Sequence, residues 1–295
     1  MIYAIGMNTL WKDIRYKLLQ SGSKLGILIF INVIVFLSIN IPAVIDQLFN
    51  GFGNSAITAL ANNYLALPSY LPRLLTRFWT PFTYMFMHAG IFHILFNMLW
   101  LYWIGQIFEE YLGNKRTVTL YLLGGLAGAL FFVASYNLLP AFNTSGLLLG
   151  STVVGASACV MAIVVATATL LPDYTLYLML IGPVKLKWLA VFFVVLDFLT
   201  VTGANAGGEI AHLGGALMGF VYIKQLKRGH DWGKPLSNIF ASKIKVIPGG
   251  MTEGGKNSPR QEEVDRILDK ISLSGYDSLN KQEKEILFRA SRNDS

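Results

Sequence analysis

The stretch "MFMHAGIFHILFNMLWLYWIG", residues 85–105, is apolar over a length that fits a bilayer crossing, yet it carries His88, His93 and Asn97. A polar group placed in hydrocarbon costs free energy, so each of the three is a candidate functional side chain. His93 and Asn97 are four residues apart and share one helical face, from which both can donate a hydrogen bond to a single oxygen. His88 precedes His93 by five residues, about 140° round a helix, and so is assigned a different job, holding a loop or a neighbouring helix.

The rest of the chain agrees with a membrane setting. Of its 295 residues 54% are hydrophobic and only 14% charged, and the mean hydropathy is +0.50, far from the mix of an average soluble domain. The net charge of +7 does not indicate a nucleic-acid partner, because the basic residues are scattered between apolar runs and form no single stripe. One cysteine, Cys159, excludes an internal disulfide and a cysteine-based metal cluster, and reads as inert packing. The first apolar run, "LGILIFINVIVFLSINIPAVI" (25–45), is as long as a full span and lacks a clear small-residue cleavage site, so it is expected to stay in the membrane.

Apolar runs predict six spans, near 25–45, 82–107, 117–139, 148–171, 185–202 and 209–227. The expected fold is therefore all-α, a polytopic six-helix membrane domain over 25–228, preceded by a cytosolic segment at 1–24. A Gly-, Pro- and Ser-rich linker follows at 229–260, and then a cytosolic helix-turn-helix tail at 261–295, with Val264, Ile267, Leu268 and Ile271 at helical spacing and Gly275 as a stop. Lys12, Arg15, Lys17, Lys24, Lys115, Arg116, Lys185, Lys187, Lys224, Lys227 and Arg228 all fall on the side of the termini, and only Arg73 and Arg77 on the other. That imbalance places both termini in the cytoplasm of a multi-pass cell-membrane protein.

Two further spans carry polar groups toward the outer half of the membrane. Ser157 stands about nine residues into span 4, roughly 13 Å below its outer end, and His212 stands early in span 6. Gly155, Ala156 and Ala158 surround the serine, and Ala158, Ala162 and Ala166 continue a small stripe at spacing four. Gly215 and Gly219 follow His212 near its own face, so spans 4 and 6 can approach backbone to backbone. Such an approach lets a serine hydroxyl meet an imidazole, the nucleophile and base of acyl transfer. Asp197 in span 5 and Glu209, three residues before His212, are read as solvated or capping carboxylates, with a third catalytic role as the minor alternative.

Taken together these residues resemble the rhomboid family of intramembrane serine proteases. Span 2, as "HAGIFHILFN", matches the family's His-x4-His-x3-Asn; "GAS" at 155–157 matches its Gly-x-Ser; "AHLGGALMG" at 211–219 matches its Ala-His-x-x-Gly-x-x-x-Gly. The three motifs come in the family's order over roughly 25–228, and "EEYLGNKR" (109–116) also looks like the family's stretch before span 3. The resemblance implies a Ser–His dyad of Ser157 and His212, with His93, Asn97 and the Ser157 backbone N–H as oxyanion donors and His88 and Gly155 in support. It implies no metal and no cofactor. Where the family often has Gly after the nucleophile this chain has Ala158, and where it often has an aromatic ring stacked on the catalytic histidine this chain has Met161.

The implied reaction is hydrolysis of peptide bonds in or near transmembrane segments of protein substrates held in the lipid bilayer, with the site opening to the extracytoplasmic face. The loop "TVTGANAGGEIA" (200–211) is expected to be a mobile cap, and a cytosolic partner of the tail is expected. Two other readings compete: a non-catalytic rhomboid-like binder of membrane segments, and a transporter lined by His88, His93 and His212. The charge asymmetry makes a prediction of its own. In a Cys159-free protein, a cysteine replacing Ser145 should react with an impermeant maleimide in intact cells and one replacing Gly255 should be protected; the reverse pattern would invert the topology.

Overall fold

Residues 23–53, 55–143, 146–178, 181–232, 234 and 261–293 are described by the structure, a computed structural model. Six principal helices fall on the six apolar runs: α1 (Lys24–Asn50), α2 (Ile91–Leu112), α3 (Asn114–Leu138), α4 (Ser157–Leu170), α5 (Leu186–Thr200) and α6 (Ala206–Lys227). Among the described residues, α1, α2 and α3 are the helices that are both long and apolar enough to cross a bilayer by length and composition. Among the described residues, α4 and α5 are shorter, at 14 and 15 residues, and α6, at 22, carries glycines along its length with Glu209, Lys224 and Lys227 in its end turns. Lys12, Arg15 and Lys17, and most of the 229–260 linker, lie outside the described residues.

The core is centred on α4, whose residues from Ala158 to Ala168 are all buried. A β-carbon added at Gly215 or Gly219 of α6 would run into the backbone carbonyls of Ala158 and Ala162. On the opposite side, one added at Gly128 of α3 would meet the Ala158 methyl at 2.6 Å and the Ala211 carbonyl oxygen at 2.9 Å. Gly124 bears in the same way on the Ala162 methyl. The small stripe on α4 is thus gripped between two glycine-bearing helices, with dispersion and shape in place of any hydrophobic driving force between helices. Large apolar side chains point away from this core: Phe92 and Phe96 on α2 and Phe192, Phe198 and Leu199 on α5 are exposed, a surface suited to lipid.

Three boundaries differ from the sequence expectations. Helix α2 does not begin at 82: Thr80–Thr83 and Tyr84–Phe86 form separate helical turns, and extended Gly90 opens α2. His88 therefore precedes the helix and is not placed at 140° on it. Span 4 does not begin at 148 either. Leu147–Gly150 is one turn, Thr152–Val153 (β2) pairs antiparallel with Leu67–Pro68 (β1), and Ser157 is the first residue of α4. The cause lies in Gly155, whose φ of +134° no continuing helix can take, and whose N–H donates to the Tyr84 carbonyl at 2.9 Å. Finally, α6 starts at Ala206, so the latter half of the 200–211 segment is helical and not a free loop.

One end of the bundle is tied by charges. Glu109, near the end of α2, accepts from the Ser23 hydroxyl at 2.5 Å and from the Lys24 and Leu25 N–H groups, both at 3.1 Å. It thereby satisfies donors that the start of α1 leaves open. Arg116 at the start of α3 holds Asp231 just past α6, at 2.9 Å, and Lys227 donates to the Thr169 carbonyl at the end of α4. Lys185 and Lys187, flanking the junction of α5 with β4 (Gly182–Lys185), which pairs antiparallel with β3 (Thr175–Leu178), both reach Asp173; their hydrogen bonds, Lys187 first, hold its carboxyl below the usual range.

Residues 241–295 form a separate unit, in which Gln261–Ser274 (α7) and Lys281–Asn293 (α8) are the described helices. Gly275, at φ +76°, ends α7, and Asn280 and Glu283 cap α8 reciprocally at 2.8 Å. Lys270 of α7 pairs with Glu283 of α8 at 2.9 Å.

The α4–α6 contact predicts a sharp asymmetry among glycines. Gly215→Val should overpack the interface and cost about 1–3 kcal/mol or more, seen as a lower melting temperature in detergent. Gly150→Ala, with nothing within 4 Å of its new methyl, should melt as the parent does. Equal melting of the two would remove the close approach as a determinant of stability.

Candidate active site

Ser157 opens α4, so its backbone N–H is among the donors that a helix N-terminus leaves without an intrahelical acceptor. The side chain is half-buried. Two residues earlier, Gly155 is fixed by its bond to Tyr84, and a β-carbon there would stand 2.8 Å from His93 Nε2 and 3.4 Å from Ser157 Oγ. The imidazole of His93 and the hydroxyl of Ser157 therefore border the same small volume, which exists because residue 155 has no side chain.

His93, in the first turn of α2, accepts from the Ala89 N–H through Nδ1 at 3.4 Å. An acceptor nitrogen in a neutral ring leaves the proton on the other one, so Nε2–H is the donor facing Gly155 and Ser157. Asn97, 7% exposed, donates from Nδ2 to the His93 carbonyl at 2.9 Å, which steers its amide along the same helical face and leaves a second amide hydrogen. His88, 5% exposed, stacks edge-on against His93 with ring centroids 5.1 Å apart. Both its nitrogens are buried without a partner among the described residues, so its contribution in this structure is to pack the His93 ring.

His212 lies on the second turn of α6, three residues before the Gly215 that abuts Ala158. The backbone contact thus brings the helical turn of His212 against the turn that Ser157 begins.

Asp197 departs from its expected reading. It is neither solvated nor a cap: its side chain is 13% exposed and Oδ1 lies 3.0 Å from His212 Nδ1. A lone acid in "VFFVVLDFLT" was the available signal, and helical spacing alone could not tell which neighbouring helix it would face. Glu209, in the first turn of α6, has one oxygen buried without a partner among the described residues. Met161 is buried in the core one turn after Ser157, and Cys159 is fully buried against Gly125.

Comparison with known proteins gives two family matches. The model described as the Rhomboid domain matches residues 75–228, and one described as a family of unknown function, DUF6576, matches residues 256–293. The chain is similar to "RHOMBOID-like protein 12, mitochondrial" of Arabidopsis thaliana, with 32% identity over 162 residues, covering 52% of this chain and 48% of that protein. It is also similar to "RHOMBOID-like protein 1" of the same plant, 32% identical over 157 residues, covering 52% of this chain and 36% of that protein. The chain thus spans half or less of the length of either relative.

Proposed function

The chain belongs to the rhomboid family, and from that premise we propose that it is an intramembrane serine endopeptidase that cuts peptide bonds in or near the transmembrane segments of other proteins. The observation that carries the reading is the volume left by Gly155, bordered by Ser157 Oγ and by the protonated nitrogen of His93.

In the proposed reaction the Ser157 hydroxyl passes its proton to His212 as the oxygen attacks the scissile carbonyl carbon. The carbonyl oxygen takes up the negative charge and receives hydrogen bonds from His93 Nε2–H, the Asn97 amide and the Ser157 N–H. Placement at the start of α4 adds the positive end of the helix dipole to that pocket. The intermediate collapses by breaking the C–N bond, and His212 gives its proton to the leaving amine. Water, deprotonated by His212, then attacks the acyl-enzyme carbonyl; the bond to Ser157 Oγ breaks, His212 returns the proton to that oxygen, and the second product leaves. Hydrogen-bonded backbone in a substrate helix hides its carbonyls, so segments with small or helix-weakening residues are the favoured substrates.

The same reading takes α1 to α6 as six crossings over 25–228, with both termini on the cytoplasmic side and the site open to the opposite face. The grouping of Lys24, Lys115, Arg116, Lys185, Lys187, Lys224 and Lys227 at the starts of α1, α3 and α5 and the end of α6 supports that orientation. The tail at 261–295, beyond the 229–260 linker, is taken as a surface for a cytosolic partner and not as part of the chemistry.

Turnover of a transmembrane reporter by purified protein, with melting curves run alongside, tests the proposal. Ser157→Ala and His212→Ala should each lower turnover by several orders of magnitude, and the double variant should be little worse, because the two act on one step. Asn97→Ala should lose less, on the order of 10–1000-fold, since other oxyanion donors remain. A fluorophosphonate should label the parent and not Ser157→Ala. A folded Ser157→Ala protein cutting at the parent rate would eliminate the serine-protease reading.

A further inference from the structure

Asp197 is the only charged residue of α5 beyond its first turn, and the helix presents Phe192, Val195, Phe198 and Leu199 outward. A carboxylate at such depth is costly unless something answers it. Its Oδ1 is answered by His212 Nδ1 at 3.0 Å, while Oδ2 is buried with no partner among the described residues. We propose that Asp197 is the positioning residue for His212, so that the proposed site operates as Ser157–His212–Asp197 rather than as a dyad; this rests on the serine-protease reading above.

The chemistry follows from what each atom can do. An ionised carboxylate only accepts, so the Asp197 contact requires the proton on Nδ1 and leaves the lone pair on Nε2, the atom that must receive the Ser157 proton. The same contact fixes the rotation of the ring. When Nε2 takes the serine proton, the carboxylate faces the positive imidazolium at hydrogen-bond distance, where charge assistance is strongest. No proton leaves Nδ1 for the carboxylate, and no further reactant is needed. Met161, one turn after Ser157, supplies no aromatic ring for stacking on His212, so the orienting task falls to α5. Glu209 is no substitute, since it is on the same helix as His212 and the contact at Nδ1 is made by Asp197.

Full-length protein in detergent is assayed for kcat, KM and the rate of fluorophosphonate labelling of Ser157, with melting curves for each variant. Asp197→Asn should lower kcat and the labelling rate together, on the order of 10–1000-fold, and leave KM within about threefold, because the amide can satisfy Nδ1 only in a mixed set of orientations. Asp197→Glu, which keeps a carboxylate, should regain part of that loss. The deciding measurement is the same substitution in a His212→Ala background: an aspartate that works through the histidine has nothing left to lose there, and residual labelling should not change. If Asp197→Asn stays within twofold of the parent, or slows labelling by the same factor with and without His212, the positioning role is overturned and Asp197 is structural. A Ser157→Ala protein that retains turnover would instead overturn the serine-protease reading itself, a separate result from either of these.

Discussion

Two backbone carbonyls, those of Ala158 and Ala162, occupy the space where β-carbons of Gly215 and Gly219 would stand. Everything specific about the molecule depends on that contact. In a bilayer, apolar side chains gain little by leaving lipid for one another, so helix pairs are held by how closely their backbones approach. Here the approach fixes α6 in register with α4 at the turn that Ser157 opens. A shift by one helical turn, 5.4 Å, would separate Ser157 from the His212 turn. The glycines therefore encode register, and the polar residues inherit their geometry from it.

A second constraint is the way α4 begins. A helix of 14 residues rises roughly 21 Å, less than the ~30 Å hydrocarbon core. Its first residue is consequently free to lie below a membrane surface while its last approaches the other. Irregular backbone ahead of it would be prohibitive if exposed to lipid. The chain meets that demand internally: Gly155 donates to Tyr84, β2 pairs with β1, and the Ser69 hydroxyl donates to the carbonyls of Leu148 and Ser151. Shortening the helix places Ser157 at a helix N-terminus, where the N–H without an intrahelical acceptor and the positive end of the dipole favour negative charge more than the middle of a longer span does.

How much of this was legible in the sequence depends on whether a feature is local. The six helices could be read from hydropathy, and Gly215, Gly219 and the Ala158/Ala162 stripe announced the α4–α6 contact through their spacing. The two late helix starts were not legible, because residues 82–90 and 148–156 are as apolar as the spans they precede. Hydropathy measures partition, and it is blind to a glycine at positive φ that ends a helix inside an apolar run. The glycines of α3, Gly124 and Gly128, lay in plain view, yet nothing local says that they face α4 instead of lipid. Asp197 was hidden for the same reason. Its partner is 15 residues away on another helix, and only the packing of α5 on α6 joins them.

The distribution of charge then makes a consistent physical picture. At one end of the bundle Glu109 ties α2 to the start of α1 and Arg116 ties the start of α3 to Asp231 just past α6, so each of these charges has a hydrogen-bonded partner. Such ties add little individual stability but fix how the helices enter the bundle. Toward the other end, acidic and imidazole groups sit among apolar side chains: Asp197, His212, His93 and His88 are all largely buried. A structure selected for stability alone would exchange them for hydrophobic residues of equal volume, since buried charge and unpartnered nitrogen both lower stability. Their concentration around the late start of α4, with a serine at its first residue, is the arrangement expected when stability has been traded for a preorganised polar site.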